Sequence, residues 1–120
     1  MKNVLASSVE AWFKYRYSSF KTTARKSGIT FTITREELCG MFEEQKGLCF
    51  YTDVPMRTDT GLGWNPNALS LDKVVPEKGY IPGNVVLCTR RANTVKSDLT
   101  LEEMKLWMPP WYKRLEEKLL

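Results

Sequence analysis

Apolar and polar positions follow a helical period through the first quarter of the chain. From about Ser8 to Lys26 there is no Pro or Gly, and Ala11, Tyr15 and Phe20 recur with gaps of helical size. A first helix is predicted there, closed by Gly28. Ile29 to Ile33 alternates apolar residues with Thr, the period of a short β segment. Thr34 then opens Thr-Arg-Glu-Glu, in which the Thr34 hydroxyl can cap a second helix while Glu37 reaches back to the cap amide. That helix carries Leu38, Met41 and Phe42 on one side and is predicted to stop at Gly47. Leu48 to Tyr51 reads as a strand, with Thr52, Asp53 and Pro55 as the turn after it.

Gly61, Gly63, Pro66 and two Asn make Arg57 to Asn67 a loop, which leads into a β-hairpin. Its first strand is predicted at Leu69 to Val75, its long turn at Pro76 to Gly83, and its return strand at Asn84 to Cys88. Arg90 to Lys96 reads as a short helix, so strand, strand and helix follow one another within about thirty residues. Thr100 with Glu103 forms another capping box, and the helix it opens is interrupted at Pro109-Pro110 before a last segment from Trp111 to Leu120. The pattern predicts an α+β fold, mainly helical, built around the hairpin and its helix. A single domain over residues 1–120 is expected, with a basic helix at 1–28, the ββα unit at 69–98 and closing helices at 100–120.

Composition narrows this picture. With 120 residues, 42% of them hydrophobic, the chain can build one compact core and is too short for two ordinary domains. No run of about 18 apolar residues could span a bilayer, and Met1-Lys-Asn-Val-Leu-Ala-Ser lacks the apolar stretch of a signal peptide. A cytoplasmic protein without a membrane partner is expected. Cys39, Cys49 and Cys88 are odd in number and widely spaced, which suits buried thiols in a reducing compartment.

The net charge of +4 says less than its distribution. Lys14, Arg16, Lys21, Arg25 and Lys26 crowd the first quarter among aromatics, and Arg90, Arg91 and Lys96 crowd one short later stretch. Two basic clusters of this kind suit a phosphate-tracking surface. The aromatics Trp12, Phe13, Tyr15, Tyr17 and Phe20 read more simply as a core face.

Leu69-Ser-Leu-Asp72, Lys78-Gly-Tyr80, Pro82-Gly-Asn84-Val-Val, and Ala92-Asn93 followed by Lys96-Ser-Asp together resemble the ββα-metal (HNH) endonucleases. The likeness is to the phage branch that includes endonuclease VII and free-standing homing endonucleases. It extends over roughly Lys21 to Leu106, with Phe31-Thr-Ile-Thr, Gln45, Gly47, Cys49 and Tyr51-Thr52 fitting upstream. By this resemblance Asp72 and Asn93 are the ligands of a divalent metal, Mg²⁺ or Mn²⁺, for which a carboxylate and an amide carbonyl are suitable hard donors. Asn84 is the Asn that braces the long turn, and Arg91 and Lys96 stand where phosphate contacts are expected.

Two departures qualify the likeness. The residue after Asp72 should be a general-base His, and here it is Lys73; the chain has no His. An ordinary lysine, with a pKa of about 10.4, is not a base at neutral pH. Lys73 is therefore expected to lower its pKa beside a metal or to stabilise the transition state as a cation, with metal-bound hydroxide or Tyr80 handling the proton. The paired Cys knuckles of the family align with Cys49 and Thr52, then Thr89 and Ala92, leaving one sulfur of four. No structural zinc is expected, with packing around Cys49, Tyr51, Leu87 and Ala92 in its place.

The resemblance thus implies a Mg²⁺-dependent DNA endonuclease of phage type, acting in the host cytoplasm if phage-encoded, with Asp72, Lys73, Tyr80, Asn84 and Asn93 in its site. The alternative is a catalytically inactive descendant that binds DNA or inhibits a partner. Trp111, Leu115, Leu119 and Leu120 suit a homodimer contact as readily as a packed tail.

Overall fold

The computed structural model describes residues 4–59 and 64–120, with side chains described from Val9 onward. The part of the predicted loop that holds Gly61 and Gly63 lies outside the described residues. In chain order come α1 (Val4–Lys26), α2 (Arg35–Glu44), β1 (Leu69–Lys73), β2 (Val85–Thr89), α3 (Arg90–Lys96), α4 (Leu101–Trp107) and α5 (Pro109–Lys118). This is an α+β arrangement of five helices and one two-stranded antiparallel sheet among the described residues.

The first helix spans the predicted residues and begins earlier, at Val4 rather than about Ser8, with the apolar phase shifted. Val9, Trp12, Phe13 and Ala24 are buried, with Phe20 packed beside them, whereas Ala11 is exposed and Tyr15 is 82% exposed. Spacings of three and four from Val9 define the stripe that meets the core, and Tyr15 falls outside it. Trp12 packs edge-on against Phe13, and the Tyr17 hydroxyl donates to the Ile33 carbonyl at 2.6 Å. Both capping boxes form: Thr34 Oγ1 accepts from the Glu37 amide and Thr100 Oγ1 from the Glu103 amide, and each Glu accepts from its cap amide. Leu38 and Phe42 carry the buried side of α2, with Met41 partly covered.

Two predicted strands shrink to single bridges. Ile29 to Ile33 pairs only through Phe31 with Tyr80, and Leu48 to Tyr51 only through Leu48 with Pro55. The chain from Leu48 instead folds into a tight turn in which the Cys49 amide donates to the Val54 carbonyl and the Asp53 amide to the Cys49 carbonyl. At the edge of β2 the Leu87 carbonyl accepts from both the Phe50 amide and the Gln45 side-chain amide, and the Gln45 side-chain oxygen accepts from the Leu87 amide.

The hairpin pairs Leu69 with Thr89, Asp72 with Val86 and Lys73 with Val85. Every β2 residue is buried, because α2 and α3 both pack against that strand. Asn84 braces the long turn as expected: its side chain accepts from the Val75 amide and donates to the Val75 and Gly79 carbonyls.

The closing helix begins at Pro109, two residues before the predicted start, since a proline in the first turn forfeits only an amide that has no helical partner. Leu115 is fully buried and Trp111 stacks on Tyr51 with centroids 4.6 Å apart, so this part of the tail packs on its own domain, while Leu119 and Leu120 remain exposed. Arg114 reaches from α5 to the Phe50 carbonyl and to both oxygens of Asp53. The Arg114 hydrogen bonds hold the Asp53 carboxyl below its ordinary value of 3.8. A depressed acid pKa stabilises the fold above the unfolded value and loses that effect as pH falls through the folded one. Trp111 fluorescence in an acid titration below pH 4 should therefore report loosening of α5, and Asp53→Asn should flatten that phase.

Candidate functional site

The ββα unit brings four of the five expected site residues to one place, and it gives them different roles. Asp72 points from β1 into the interior and is 2% exposed. Its Oδ1 lies 3.0 Å from the Lys96 ammonium, and its Oδ2 accepts from the Tyr51 hydroxyl at 2.5 Å. Lys96 is wholly buried and also donates to the Lys73 and Val74 carbonyls at 2.8 and 3.0 Å. Three donors meet three oxygens, so the ammonium is fully satisfied. This corrects the expectation that Lys96 contacts phosphate. One turn after Asn93, its side chain points to the sheet, where it closes the ion pair.

Asn93 sits in the first turn of α3, whose N-terminus is capped by Thr89. Its amide nitrogen donates to Ser70 Oγ at 2.8 Å and to the Leu71 carbonyl at 2.9 Å. Those bonds leave its Oδ1 without a hydrogen bond among the described residues. Ser70, two residues before Asp72 on the same face of β1, escaped the sequence reading; period-two spacing from Asp72 was the signal for it. Tyr51 was singled out only as a packing residue, because nothing in linear spacing joins a turn residue to a strand twenty-one positions later.

Beside this buried pair lies an open cleft of about 270 Å³, lined by Ser70, Lys73, Tyr80, Arg90 and Asn93, with Asp98 at its lining as well. The Lys73 ammonium stands over the Tyr80 ring at 5.7 Å, where the ring's negative face attracts it. Burial, then the charge of Asp72, raises the Tyr80 hydroxyl above its ordinary value of 10, so near pH 7 it is a neutral donor rather than a base. The same two causes push Tyr51 far higher. Asn84 is buried beneath the turn and positions that loop without lining the cleft.

The donor set can be tested against the divalent ion that the resemblance implies. Mg²⁺ takes hard oxygens in near-octahedral geometry. The free Asn93 Oδ1 fits that demand. The Asp72 carboxylate does not, because both of its oxygens are held by fixed buried donors and its counter-ion is already the Lys96 ammonium. As arranged, the pair offers one ligand, and no step through a metal is derived from it.

Where the zinc knuckles would align, Cys49 and Thr89 do meet: Thr89 Oγ1 lies 3.8 Å from Cys49 Sγ while accepting from the Ala92 amide. Cys49, Thr89 and Ala92 are all buried, and Thr52 is exposed. Side-chain packing joins these two segments. Cys88 is buried in the same layer, and burial followed by the charge of Asp72 pushes its thiol well above the ordinary value.

The basic residues of α1 do not act as one group. At about 100° per residue, Lys14, Lys21 and Arg25 share one side of the helix, Arg16 faces nearly the opposite way and Lys26 lies between. Lys14 lines a hollow with Glu10, Arg35 and Glu36, and Lys21 stands over the Tyr17 ring. Arg25 and Lys26 are exposed, as is Arg91 on α3. Of the first cluster, Arg16 faces a groove that also contains Arg90. No family model, curated protein or solved structure matches this chain.

Proposed function

We propose that this chain is a DNA-binding protein of the ββα-metal (HNH) type, seating a phosphodiester of the DNA backbone in the cleft between Lys73, Arg90 and Asn93. The observation that carries the reading is the placement of two cations, Lys73 and Arg90, and several neutral donors around one open cleft that holds a single lining carboxylate, Asp98, with Asp72 neutralised from inside. A phosphate entering there meets Lys73 and Arg90 as positive charge and Ser70 and Tyr80 as hydroxyl donors. Lys73 serves as a cation in this reading and takes no part as the general base of the HNH pattern; Asp98 is the one carboxylate among the described residues that line the cleft.

A second reading, the Mg²⁺-dependent DNA endonuclease, is favoured by one specific feature: the Asn93 side-chain oxygen Oδ1 has no hydrogen bond among the described residues and stands beside the strand that carries Asp72. In that reading Asp72 and Asn93 hold the ion, whose part is to polarise the scissile phosphate. It requires Asp72 to exchange Lys96 for the metal.

One experiment separates the two. The protein should bind a labelled DNA duplex in EDTA with an affinity that falls steeply with salt, and it should leave a supercoiled plasmid intact with Mg²⁺ or Mn²⁺. Nicking by the parent protein, abolished by both Asp72→Ala and Asn93→Ala, would establish the endonuclease instead. The Asn93 variant guards against misreading a folding defect at Asp72. Absence of salt-sensitive DNA binding would dispose of both readings.

A further inference from the structure

The phosphate cleft continues into a second hollow of about 280 Å³ between α1 and the hairpin, and the two share Ser70, Tyr80 and Arg90. On its α1 side stand Arg16, Ser19, Thr23 and Ser27. Ser19 and Thr23 lie one above the other on one face of α1, about 6 Å apart along its axis, and Ser27 follows just past the helix end at Lys26. All four residues are exposed, and no Asp or Glu lines this groove among the described residues. The Arg16 guanidinium sits over the Trp12 ring at 5.9 Å, held at the edge of the groove.

The hydroxyls of Ser19, Thr23 and Ser27 all line this one hollow. Each is a small neutral donor, and with Arg16 at one end and Arg90 opposite they form a track suited to a repeating anion. We infer that the DNA strand whose phosphodiester occupies the cleft continues along this face of α1, its flanking phosphates accepting hydrogen bonds from the hydroxyls of Ser19, Thr23 and Ser27 and an ion pair from Arg16. This rests on the DNA-binding reading and adds to it the direction in which the strand leaves the cleft. It also divides the basic residues of α1: Arg16 belongs to the DNA track, and Lys14 and Lys21 on the other side do not.

Fluorescence anisotropy with a labelled mixed-sequence duplex tests the path. The triple variant Ser19→Ala/Thr23→Ala/Ser27→Ala alters three exposed positions, two of them inside α1 where Ala is the stronger helix former, so the fold is retained. It should weaken binding roughly tenfold at fixed salt. Arg16→Gln should reduce the slope of log affinity against log salt by about one. Lys14→Gln/Lys21→Gln should keep the parent slope. The path is overturned if the parent binds, Lys73→Ala weakens binding, and yet both groove variants stay within about twofold of the parent. It is equally overturned if the Lys14/Lys21 variant loses more than the groove variants. Failure of the parent to bind at all would remove the underlying reading and this path with it.

Discussion

Lys96→Met should destabilise the protein by about 3–5 kcal/mol, the usual cost of removing one partner of a buried ion pair. The substitution keeps the volume and apolar stem of the lysine while deleting an ammonium that binds the Asp72 carboxylate and two main-chain carbonyls. It leaves a buried carboxylate with Tyr51 as its remaining donor. Urea unfolding with one transition and an unchanged m-value would measure the loss. In the triple variant Tyr51→Phe/Asp72→Leu/Lys96→Met much of it should return, because an apolar replacement of a buried pair removes the desolvation cost along with the attraction. A Lys96→Met protein as stable as the parent would mean that the pair does not form in solution. The same variant bears on the site: with its internal cation gone, Asp72 should recruit one from solvent. Mn²⁺ should therefore raise the melting temperature of Lys96→Met more than that of the parent, since a ligand that binds only the folded state stabilises it.

Gly79→Ala should cost about 2–4 kcal/mol, combining backbone strain with a direct clash. Gly79 closes the short 3-10 turn Pro76–Lys78 with φ +76° and ψ −161°, a region open almost only to glycine. A Cβ there would stand 2.5 Å from the Thr30 carbonyl oxygen, which is itself held by the Tyr80 amide at 2.8 Å. The methyl would thus push apart the contact that ties the segment after α1 to the long turn, and with it the Tyr80 ring that faces Lys73. Gly28→Ala is the internal comparison. Its φ is +72°, but nothing lies within 4 Å of its Cβ position, so strain alone should cost about 1 kcal/mol. Equal losses at the two positions in thermal unfolding would mean that the Thr30 contact contributes nothing.

Where local rules suffice, the sequence was legible. The two capping boxes depend on four consecutive residues each, and both form. The hairpin and the helix after it form as well, with β1 ending at Lys73 rather than Val75 and β2 running Val85–Thr89 rather than Asn84–Cys88, and the brace at Asn84 that the resemblance implies is present. The errors lie where partners come from far along the chain. Segments 29–33 and 48–51 have strand-like patterns, but each forms only one bridge, because its remaining hydrogen bonds go elsewhere: to the turn itself near Cys49 and from the Phe50 amide to the Leu87 carbonyl, and to the Tyr80 carbonyl for Thr32 and Ile33. The phase of α1 was set by Tyr15 in the reading and by Trp12 and Phe13 in the fold, since aromatics on adjacent helical faces do not announce which face meets the core.

The candidate site divides in the same way. The sequence by itself determined that residues 69–96 would form a hairpin followed by a helix, and the resemblance carried by its motifs put Asp72, Lys73, Asn93 and Lys96 at their junction. Only the tertiary structure decided what each side chain does there. Lys96 has the composition of a phosphate contact and is instead the buried counter-ion of Asp72, because α3 lies on β1 with that side inward. Tyr51, from a distant turn, takes the second carboxylate oxygen, and Arg16, alone among its cluster, turns toward the groove. A charge near a motif is visible in one dimension; whether it faces solvent or a carboxylate depends on which surface its helix packs against.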